Sequence, residues 1–441
     1  MTSDLDRRQF LVRTGLALSA GMLAAHLPVS IARAAEGMSA RYDSWDAVRD
    51  QFNLRRDLIH MASFFLVSHP SPVREAIERH RQGLDENPFG YVSDNEERLE
   101  AAVLGAAGAY LGVRQADIAL TDSTTMGLGL LYGGLTLRAG QEILTTTHDH
   151  YSTQESLRLR AQRTGASIRT ISLYRELKSI SPDEIVETLN GAIRPETRIV
   201  AVTWVHSSTG LKLPIRAVAD ALARVNANRP ENDRALLCVD GVHGLGVEAV
   251  SLPELGCDFF VAGCHKWMFG PRGTGLVWGQ SGAWPVAQPI IPTFNMEVYR
   301  IWMKDHPPKP VPYGAIMTPG GFHSFEHRWA LDEAFKFHLA IGKARIADRI
   351  YSLNARLKDG LAEMRHVVLH TPRSQALSAG IVCFEVEGWK PAAVVEHLRQ
   401  HRIIASETPY ATKYVRLAPS LLTSPEEVDR TLHEIRTLKK Q

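Results

Sequence analysis

The stretch Gly256-Cys-Asp-Phe-Phe-Val-Ala-Gly-Cys-His-Lys-Trp-Met-Phe-Gly-Pro-Arg-Gly-Thr-Gly275 joins an apolar run to a turn rich in glycine and proline. Residues 259–262 predict a buried strand that delivers His265 and Lys266 into this turn. Neighbouring aromatic residues would desolvate Lys266, which lowers the pKa of a lysine and makes its amine nucleophilic, as a Schiff-base lysine requires. A lysine at a strand end is more often simply solvated, so its interpretation depends on the rest of the chain.

Residues 1–34 have the pattern of a twin-arginine export signal. Arg7-Arg8-Gln-Phe-Leu11 is followed by a weakly apolar run over 15–27 and by the small-x-small site Ala32-Arg-Ala34. The run is too short to span a bilayer, and such signals are addresses that a receptor reads rather than anchors. We therefore expect export to the periplasm by the twin-arginine machinery, cleavage near Ala34 and no stable membrane anchor.

Charge and cysteine content exclude several classes of function. The chain of 441 residues has 50 basic and 48 acidic residues. Residues 1–34 hold four arginines and two aspartates, so 46 of each sign remain after cleavage. This balance argues against nucleic-acid or membrane-surface binding. The four cysteines, Cys238, Cys257, Cys264 and Cys383, show no disulfide spacing and are predicted to be core thiols.

Strand and helix patterns alternate from about residue 96 to 280. Apolar strand runs fall at 118–120, 142–146, 167–172, 197–204, 235–239 and 259–262, with helices at 96–111, 125–135, 182–189 and 215–225 between them. This alternation predicts an α/β fold with a mostly parallel sheet covered on both faces. Ligands of such sheets bind outside the carboxyl ends of the strands.

The rest of the chain predicts a second, smaller α/β domain. Residues 284–320 contain eight prolines and read as a loop-rich crossover. We predict a long helix over 330–364, then strands at 367–371, 380–387 and 414–417 and helices at 391–400 and 425–439. The predicted organisation is an export signal (1–34), an N-terminal segment (35–60), a large domain (61–325) and a small C-terminal domain (326–441).

Three features at strand ends point to one cofactor. Asp240 follows the strand over 235–239, and Lys266 follows the next one. A carboxylate for a pyridinium nitrogen and a Schiff-base lysine are the minimum protein equipment for pyridoxal phosphate. Hydroxyl residues in Thr121-Asp-Ser-Thr-Thr125 end a strand and open a helix, whose N-terminus suits an anion such as the phosphate.

On these motifs the chain resembles the class V aminotransferase family, which comprises pyridoxal-phosphate enzymes of fold type I with a large domain built on a seven-stranded, mostly parallel sheet. The resemblance spans about residues 55–435 and is nearest to the branch of isopenicillin N epimerase. The matching segments are Ser123-Thr124-Thr125, Gly140-Gln-Glu-Ile-Leu144, Thr147-His-Asp-His150-Tyr151, Ser207-Ser-Thr-Gly210-Leu-Lys-Leu-Pro214, Asp240-Gly-Val-His243, His265-Lys266 with Gly270–Gly275, and Tyr414-Val-Arg416-Leu-Ala-Pro-Ser420.

The resemblance implies a role for each matched residue. Lys266 would hold the cofactor and then act as base at the substrate Cα, while Asp240 keeps the pyridine nitrogen protonated. His150 would stack on the ring. The remaining cofactor-binding residues would be Ser123, Thr124, Thr125, Ser207, His243 and His265. Arg416 would bind the substrate carboxylate. The family's homodimer implies a site completed by a neighbouring subunit, and Gly320-Gly321 is our candidate for the donated loop.

Other interpretations of single motifs are weaker. Residues 127–133 look like a dinucleotide turn, but they lie inside a predicted helix with no acidic residue for a ribose. His148 and His150 lack a third metal ligand of obvious spacing, so we predict no metal site. A cofactor-free periplasmic binding protein on the same scaffold is opposed by the intact Lys266, Asp240 and Arg416.

The sequence indicates the cofactor more clearly than it indicates the reaction. Desulfurases of the family carry a nucleophilic cysteine shortly before the carboxylate-binding arginine, whereas residues 401–413 contain none. This favours aminotransferase or epimerase chemistry at the Cα amine of an amino acid or of an amino-acid part of a peptide. The alternatives are a C–S lyase without a catalytic cysteine and modification of a glutamyl group on a peptide siderophore in the periplasm. His150 resembles the lyases and desulfurases, because the epimerase branch has a tyrosine at this position.

Overall fold

The structure is a computed structural model that describes residues 42–304 and 307–438. The predicted export signal and its cleavage site lie outside these residues. The helices are α1 (Trp45–Arg49), α2 (Ser71–Glu86), α3 (Pro88–Leu111), α4 (Thr124–Gly134), α5 (Tyr151–Thr164), α6 (Pro182–Ala192), α7 (Ile215–Asn226), α8 (Leu252–Leu255), α9 (Met296–Met303), α10 (Tyr313–Met317), α11 (Phe325–Trp329), α12 (Leu331–Ile341), α13 (Lys343–Ala362), α14 (Pro391–Gln400) and α15 (Pro425–Thr437). Among the described helices, none has the length and apolarity needed to cross a membrane.

The strands form one large sheet and two smaller ones. They are β1 (Ile59–His60), β2 (Ile118–Thr121), β3 (Glu142–Thr146), β4 (Ser167–Ile171), β5 (Thr197–Thr203), β6 (Leu236–Asp240), β7 (Phe259–Gly263), β8 (Gly275–Gly279), β9 (Val367–Leu369), β10 (Val382–Val386), β11 (Ile403–Ile404), β12 (Ser406–Glu407) and β13 (Val415–Leu417).

The large sheet has seven strands in the order β2-β8-β7-β6-β5-β3-β4. The pairs among β7, β6, β5, β3 and β4 are parallel, while β8 runs antiparallel to both of its neighbours. Strands β5, β6 and β7 are buried along their whole length, as expected when helices cover both faces. The predicted α/β fold with a seven-stranded, mostly parallel sheet is confirmed.

The smaller domain is built on the antiparallel sheet β12-β13-β10-β9. Strand β1, which comes from the start of the described chain, pairs in parallel with β11. Ile59 and Met61 consequently belong to the same apolar core as strands β10 and β13 and helix α15. Residues 59–61 therefore pack into the small domain, whereas Tyr42, Val48 and Phe52 of the N-terminal segment belong to the core of the large domain.

The helix predicted over 330–364 is wrong as a single element. Gly342 has φ 98° and ψ 124°, a conformation outside the helical region, and it separates α12 from α13. Helix α12 packs in the core of the large domain, and α13 contributes Ile346 and Ile350 to that core but Leu353 and Leu357 to the core of the small domain. The change from one core to the other thus falls within α13, beyond the domain boundary predicted after residue 325.

Two parts of the chain contain more regular structure than the sequence indicates. The loop-rich segment 284–320 includes the short helices α9 and α10. Strand β8, which directly follows the glycine loop after Lys266, has no counterpart among the predicted strands. It places Gly275 opposite both Gly263 and Thr121 in the sheet. The end of the glycine loop is therefore held between β7 and β2, the edge strand of the sheet.

Candidate active site

Lys266 lies just beyond the carboxyl end of β7, in a turn closed by backbone hydrogen bonds. The N–H of Phe269 donates to the Lys266 carbonyl over 2.9 Å, and the N–H of Gly270 donates to the Cys264 carbonyl over 2.9 Å. Burial lowers the pKa of Lys266 to about 8, an effect that Asp240 opposes and Arg416 reinforces. About a tenth of this amine is therefore uncharged at pH 7, and the uncharged form is the nucleophilic one.

Asp240 is the last residue of β6, and its strand neighbours fix its position beside Lys266. It lies opposite Val261 of β7 and Thr203 of β5. Its carboxylate is buried and accepts a hydrogen bond of 3.1 Å from the N–H of Val242. Burial raises the pKa of Asp240 to about 6, while the positive charge of Lys266 acts in the opposite direction. A buried carboxylate of this kind is stabilised by a cationic partner.

His243 connects Lys266 to Trp267. The Lys266 Nζ and the His243 Nε2 are 3.5 Å apart, and the indole N–H of Trp267 donates to the His243 Nδ1 over 3.2 Å. An indole nitrogen only donates, so Nδ1 is the acceptor and a neutral imidazole carries its proton on Nε2. Burial lowers the pKa of His243 well below its usual value, which keeps this ring neutral.

The N-terminus of α4 forms the predicted anion site. Ser123 caps the helix, its Oγ accepting from the N–H of Met126 over 3.1 Å. The Oγ1 of Thr124 accepts a hydrogen bond of 2.8 Å from the N–H of Gly263, which connects the helix to β7. Thr125 is exposed. Beside them, the Nδ1 of His265 is buried without a hydrogen-bond partner among the described residues. Free helix N–H groups and an unpaired imidazole nitrogen suit a phosphate group.

His150 faces the same region from the N-terminus of α5. Its Nδ1 accepts from the N–H of Ser152 over 3.2 Å. Burial lowers the pKa of His150, and the nearby charges of Lys266 and Arg416 lower it further. The preceding residue, Asp149, is buried and accepts hydrogen bonds from the N–H groups of Thr146 (2.8 Å) and Thr203 (2.7 Å). Asp149, which the sequence does not mark as functional, thus fixes His150 to the ends of β3 and β5.

Arg416 lies on β13 and reaches the large domain. Its Nη1 donates to the Ser207 carbonyl over 3.1 Å, its Nε donates to the Ser406 Oγ over 3.2 Å, and its guanidinium lies 3.9 Å from the centre of the Phe64 ring. The side chain is buried, yet within residues 42–304 and 307–438 it forms no ion pair with a carboxylate. A buried guanidinium without a counter-ion is equipped to bind a carboxylate from a ligand.

Tyr410 is a site residue that the sequence does not indicate. Its hydroxyl is 2.7 Å from the Ser207 Oγ, and its ring meets the His150 ring edge-on with centres 6.2 Å apart. Burial raises the pKa of Tyr410, so the phenol stays protonated. No motif surrounds it, and it joins the site only because the small domain folds over the large one.

No hydrogen bond among the described residues joins Gly320 or Gly321 to these side chains. The N–H of Gly320 donates to the Pro292 carbonyl over 2.8 Å, and a Cβ at this position would overlap Phe294. Gly321 has a positive φ of 105°, with open space around a Cβ built on it. Their contribution to a neighbouring subunit's site stays a prediction.

Together these residues fit pyridoxal 5′-phosphate. A lysine amine with a lowered pKa, a buried carboxylate, an anion-binding helix N-terminus and a free arginine converge at the carboxyl ends of β5, β6 and β7. Apart from Gly320 and Gly321, the structure brings the predicted site residues to this region. The fold and this site define a pyridoxal-phosphate-dependent enzyme of fold type I.

Comparison with known proteins gives the family. Residues 106–409 match the model of the class-V aminotransferases, and the chain belongs to this family. It is 25% identical to isopenicillin N epimerase of Streptomyces clavuligerus over 88% of this chain and 96% of that protein. It is 24% identical to the same enzyme of Amycolatopsis lactamdurans over 80% of this chain and 87% of that one. A cysteine desulfurase of Klebsiella pneumoniae is 25% identical over 78% and 83% of the two chains.

Solved structures show the same fold. The C–S lyase C-DES, with glycine covalently linked to its pyridoxal phosphate, superimposes with a TM-score of 0.79 at 22% identity, over 89% of this chain and 99% of that one. The cysteine desulfurase CsdA of Escherichia coli gives a TM-score of 0.72 at 19% identity, over 89% and 97%.

Proposed function

We propose that this enzyme acts at the Cα amine of an amino acid, or of an amino-acid part of a peptide, by aminotransferase or epimerase chemistry. The proposal rests on the closeness of Lys266 and Arg416 in the site. An amine with a lowered pKa and a guanidinium that has no carboxylate partner among the described residues are the two groups that an α-amino acid requires. They are close enough for the charge of Arg416 to lower the pKa of Lys266. Relatives named isopenicillin N epimerase support a place in that branch of the family.

The cysteines argue against persulfide-forming desulfurase chemistry. All four are buried, and burial raises the pKa of Cys383 to about 12. Cys383 lies on β10 directly opposite Arg416, and its N–H donates to the Thr371 Oγ1 over 2.7 Å. A nucleophilic cysteine must be accessible and ionised. Tyr410, in the segment before Arg416, presents a protonated phenol instead.

The roles of the side chains follow from their positions. When bound, pyridoxal phosphate supplies an aldehyde for amines and a ring that withdraws electrons from the substrate Cα. Lys266 holds the cofactor and then accepts the Cα proton on its Nζ. Asp240 provides the negative charge for the ring nitrogen, and the N-terminus of α4 with His265 holds the phosphate. Arg416 orients the substrate carboxylate, while His150 covers the ring.

The proposal extends to the cellular setting. The twin-arginine pattern of residues 1–34 supports action in the periplasm, and membership of the class-V aminotransferase family supports a homodimer whose partner completes the site. An alternative reaction that fits this location is modification of a glutamyl group on a peptide siderophore. Fractionation of cells should find the mature chain in the periplasm. The variant in which Arg7 and Arg8 are both lysine should accumulate uncleaved in the cytoplasm, and equal export of the two chains would refute this location.

Reaction with amino acids in deuterated water tests the chemistry. The wild type should exchange the Cα proton and give either racemised product or a keto acid with aminated cofactor. The Lys266→Ala variant should lose exchange, whereas Lys358→Ala, which removes a buried lysine elsewhere, should retain it. Release of pyruvate and sulfide would instead establish a C–S lyase. A wild-type protein that never takes up pyridoxal phosphate would contradict the proposed function.

A further inference from the structure

Two histidines and a glutamate meet in the small domain. His397 lies on α14 and His401 directly follows that helix, four residues further on, so both face the same side. Glu434 comes from α15, 33 residues later. The Oε2 of Glu434 lies 3.4 Å from the His401 Nε2 and 4.0 Å from the His397 Nε2. One ligand atom from each residue lies within 4.8 Å of the other two, and no other group of three or more such residues occurs in the described part of the chain.

The Nε2 atoms of His401 and His397 are available to a ligand. The His401 Nδ1 is 2.8 Å from the carbonyl of His397, which can only accept, so the ring donates from Nδ1. In the neutral ring this leaves the lone pair of Nε2 directed at Glu434. The Nε2 of His397 is buried and has no hydrogen-bond partner among the described residues. An unpaired buried nitrogen is costly, and a metal ion would satisfy it.

We propose that His397, His401 and Glu434 bind a divalent transition-metal ion, with zinc as the best match. Two imidazole nitrogens and one carboxylate oxygen are a common donor set for zinc. Ligand atoms bound tetrahedrally at 2.0–2.1 Å lie about 3.3–3.5 Å apart, so small side-chain rotations bring the three atoms into place. Magnesium and calcium prefer all-oxygen sites. All three side chains are partly exposed, which leaves an entry path and room for a water as fourth ligand.

The bound ion would join α14 to α15. His401 leads directly into β11 and, through β12, to the segment that carries Tyr410. An ion bound at the end of α14 would therefore fix the start of the segment that carries Tyr410 to the active site. This inference is independent of the proposed reaction. It also departs from the expectation of no metal site, because the glutamate is remote in sequence and only the packing of α14 on α15 brings it to the histidines.

Calorimetric titration with zinc chloride tests the proposal on the tag-free enzyme loaded with its cofactor. We expect one high-affinity ion per chain and a rise in melting temperature that a chelator reverses. The Glu434→Gln variant, which keeps the shape of the side chain, should bind zinc about tenfold more weakly or worse, as should His401→Gln.

The exposed His433, next to Glu434 on α15, provides the control. His433→Ala should leave zinc affinity unchanged, since its ring lies outside the cluster. Unaltered affinity in both Glu434→Gln and His401→Gln, or an equal loss in His433→Ala, would overturn the proposal. Both cluster variants should retain the wild-type melting temperature in the presence of chelator, which distinguishes loss of the ion from misfolding.

Discussion

Burial lowers the pKa values of both Lys266 and Lys358 to about 8, but the surroundings of the two lysines differ. The Nζ of Lys358 donates to the carbonyls of Pro372 (3.2 Å) and Arg373 (2.9 Å) and to the Oγ of Ser378 (2.6 Å). These acceptors use all three protons of an ammonium group. The Nζ of Lys266 has His243 as its hydrogen-bonding neighbour, at 3.5 Å. A pKa lowered to about 8 therefore marks two lysines in the described part of the chain, and the hydrogen-bond partners separate the nucleophile from the structural cation.

The reactivity of Lys266 should follow its pKa. A lysine attacks an aldehyde only when uncharged, so covalent uptake of pyridoxal phosphate by the cofactor-free protein should accelerate about tenfold per pH unit below pH 8 and then level off. Stopped-flow absorbance gives the rate, and borohydride trapping with peptide mapping gives the site. The label should appear on Lys266, and Lys358→Met should not alter the profile. A rate that is constant between pH 6 and 8 would contradict this assignment.

Trp267 should control the tautomer of His243. Trp267→Phe removes the N–H donor but keeps an aromatic ring, so the buried Nδ1 of His243 loses its partner at a cost of about 1–3 kcal/mol. We expect the ring to redistribute its proton between the two nitrogens. NMR spectra of protein labelled with ¹⁵N-histidine would show this as a change in the His243 signals.

Trp278 supplies the comparison for this prediction. It is also buried in the large domain, but its Nε1 has no hydrogen-bond partner among the described residues. Trp278→Phe should therefore leave the His243 signals in place. Unchanged His243 signals in Trp267→Phe would show that the indole does not set the tautomer.

The N-terminus of helix α4 forms the anion site, and Gly127 lets this helix pack closely on the sheet. A Cβ on Gly127 would lie 2.6 Å from the Val261 Cγ1 and 3.1 Å from the Val277 Cγ2, whereas a Cβ on Gly129 meets nothing within 4 Å. Gly127→Ala should destabilise the protein by about 1–3 kcal/mol through overpacking. Gly129→Ala should stabilise it by about 0.5–1 kcal/mol through the lower entropy of the unfolded chain. Urea unfolding measures both.

The Gly127→Ala and Gly129→Ala variants should also differ in how well they retain the cofactor. Gly127→Ala pushes α4 away from β7, where Thr124 holds the N–H of Gly263. We expect weaker retention of pyridoxal phosphate during dialysis, while Gly129→Ala retains it as the wild type does. Equal stability and equal retention in the two variants would show that the packing of α4 on β7 and β8 does not support the site.

Elements with a continuous apolar run could be predicted from the sequence, and elements defined by contacts could not. Strands β6 and β7 are continuous buried runs, and the sequence therefore predicts Asp240 at the carboxyl end of β6 and Lys266 just beyond that of β7, where the structure has them. Strand β8 contains three apolar residues between two glycines and gives little periodic signal. The break at Gly342 depends on a backbone angle, and Tyr410 enters the site through packing of one domain on the other.

At the scale of the whole molecule, apolar side chains remain exposed on one part of the large domain. The largest exposed fractions in segment 290–322 are those of Phe322 (91%), Trp302 (76%) and Phe294 (53%). Gly320 packs on Phe294, so the two ends of this segment are neighbours. Large exposed apolar patches are uncommon on monomers and mark interaction surfaces. This surface also contains Gly320 and Gly321, the candidate loop for a neighbouring site.

We therefore predict that a second copy of the chain covers this surface. Light scattering coupled to size-exclusion chromatography should give twice the mass of one chain. The double variant Trp302→Asp, Phe322→Asp should run as a monomer, because charges in the core of an interface must be desolvated without a partner. Val250→Asp places the same charge on a half-exposed apolar residue outside the segment and should remain dimeric. A monomeric wild type, or dissociation in Val250→Asp as well, would refute this interface. If the partner completes the active site, the monomeric variant should also lose cofactor affinity while keeping its fold.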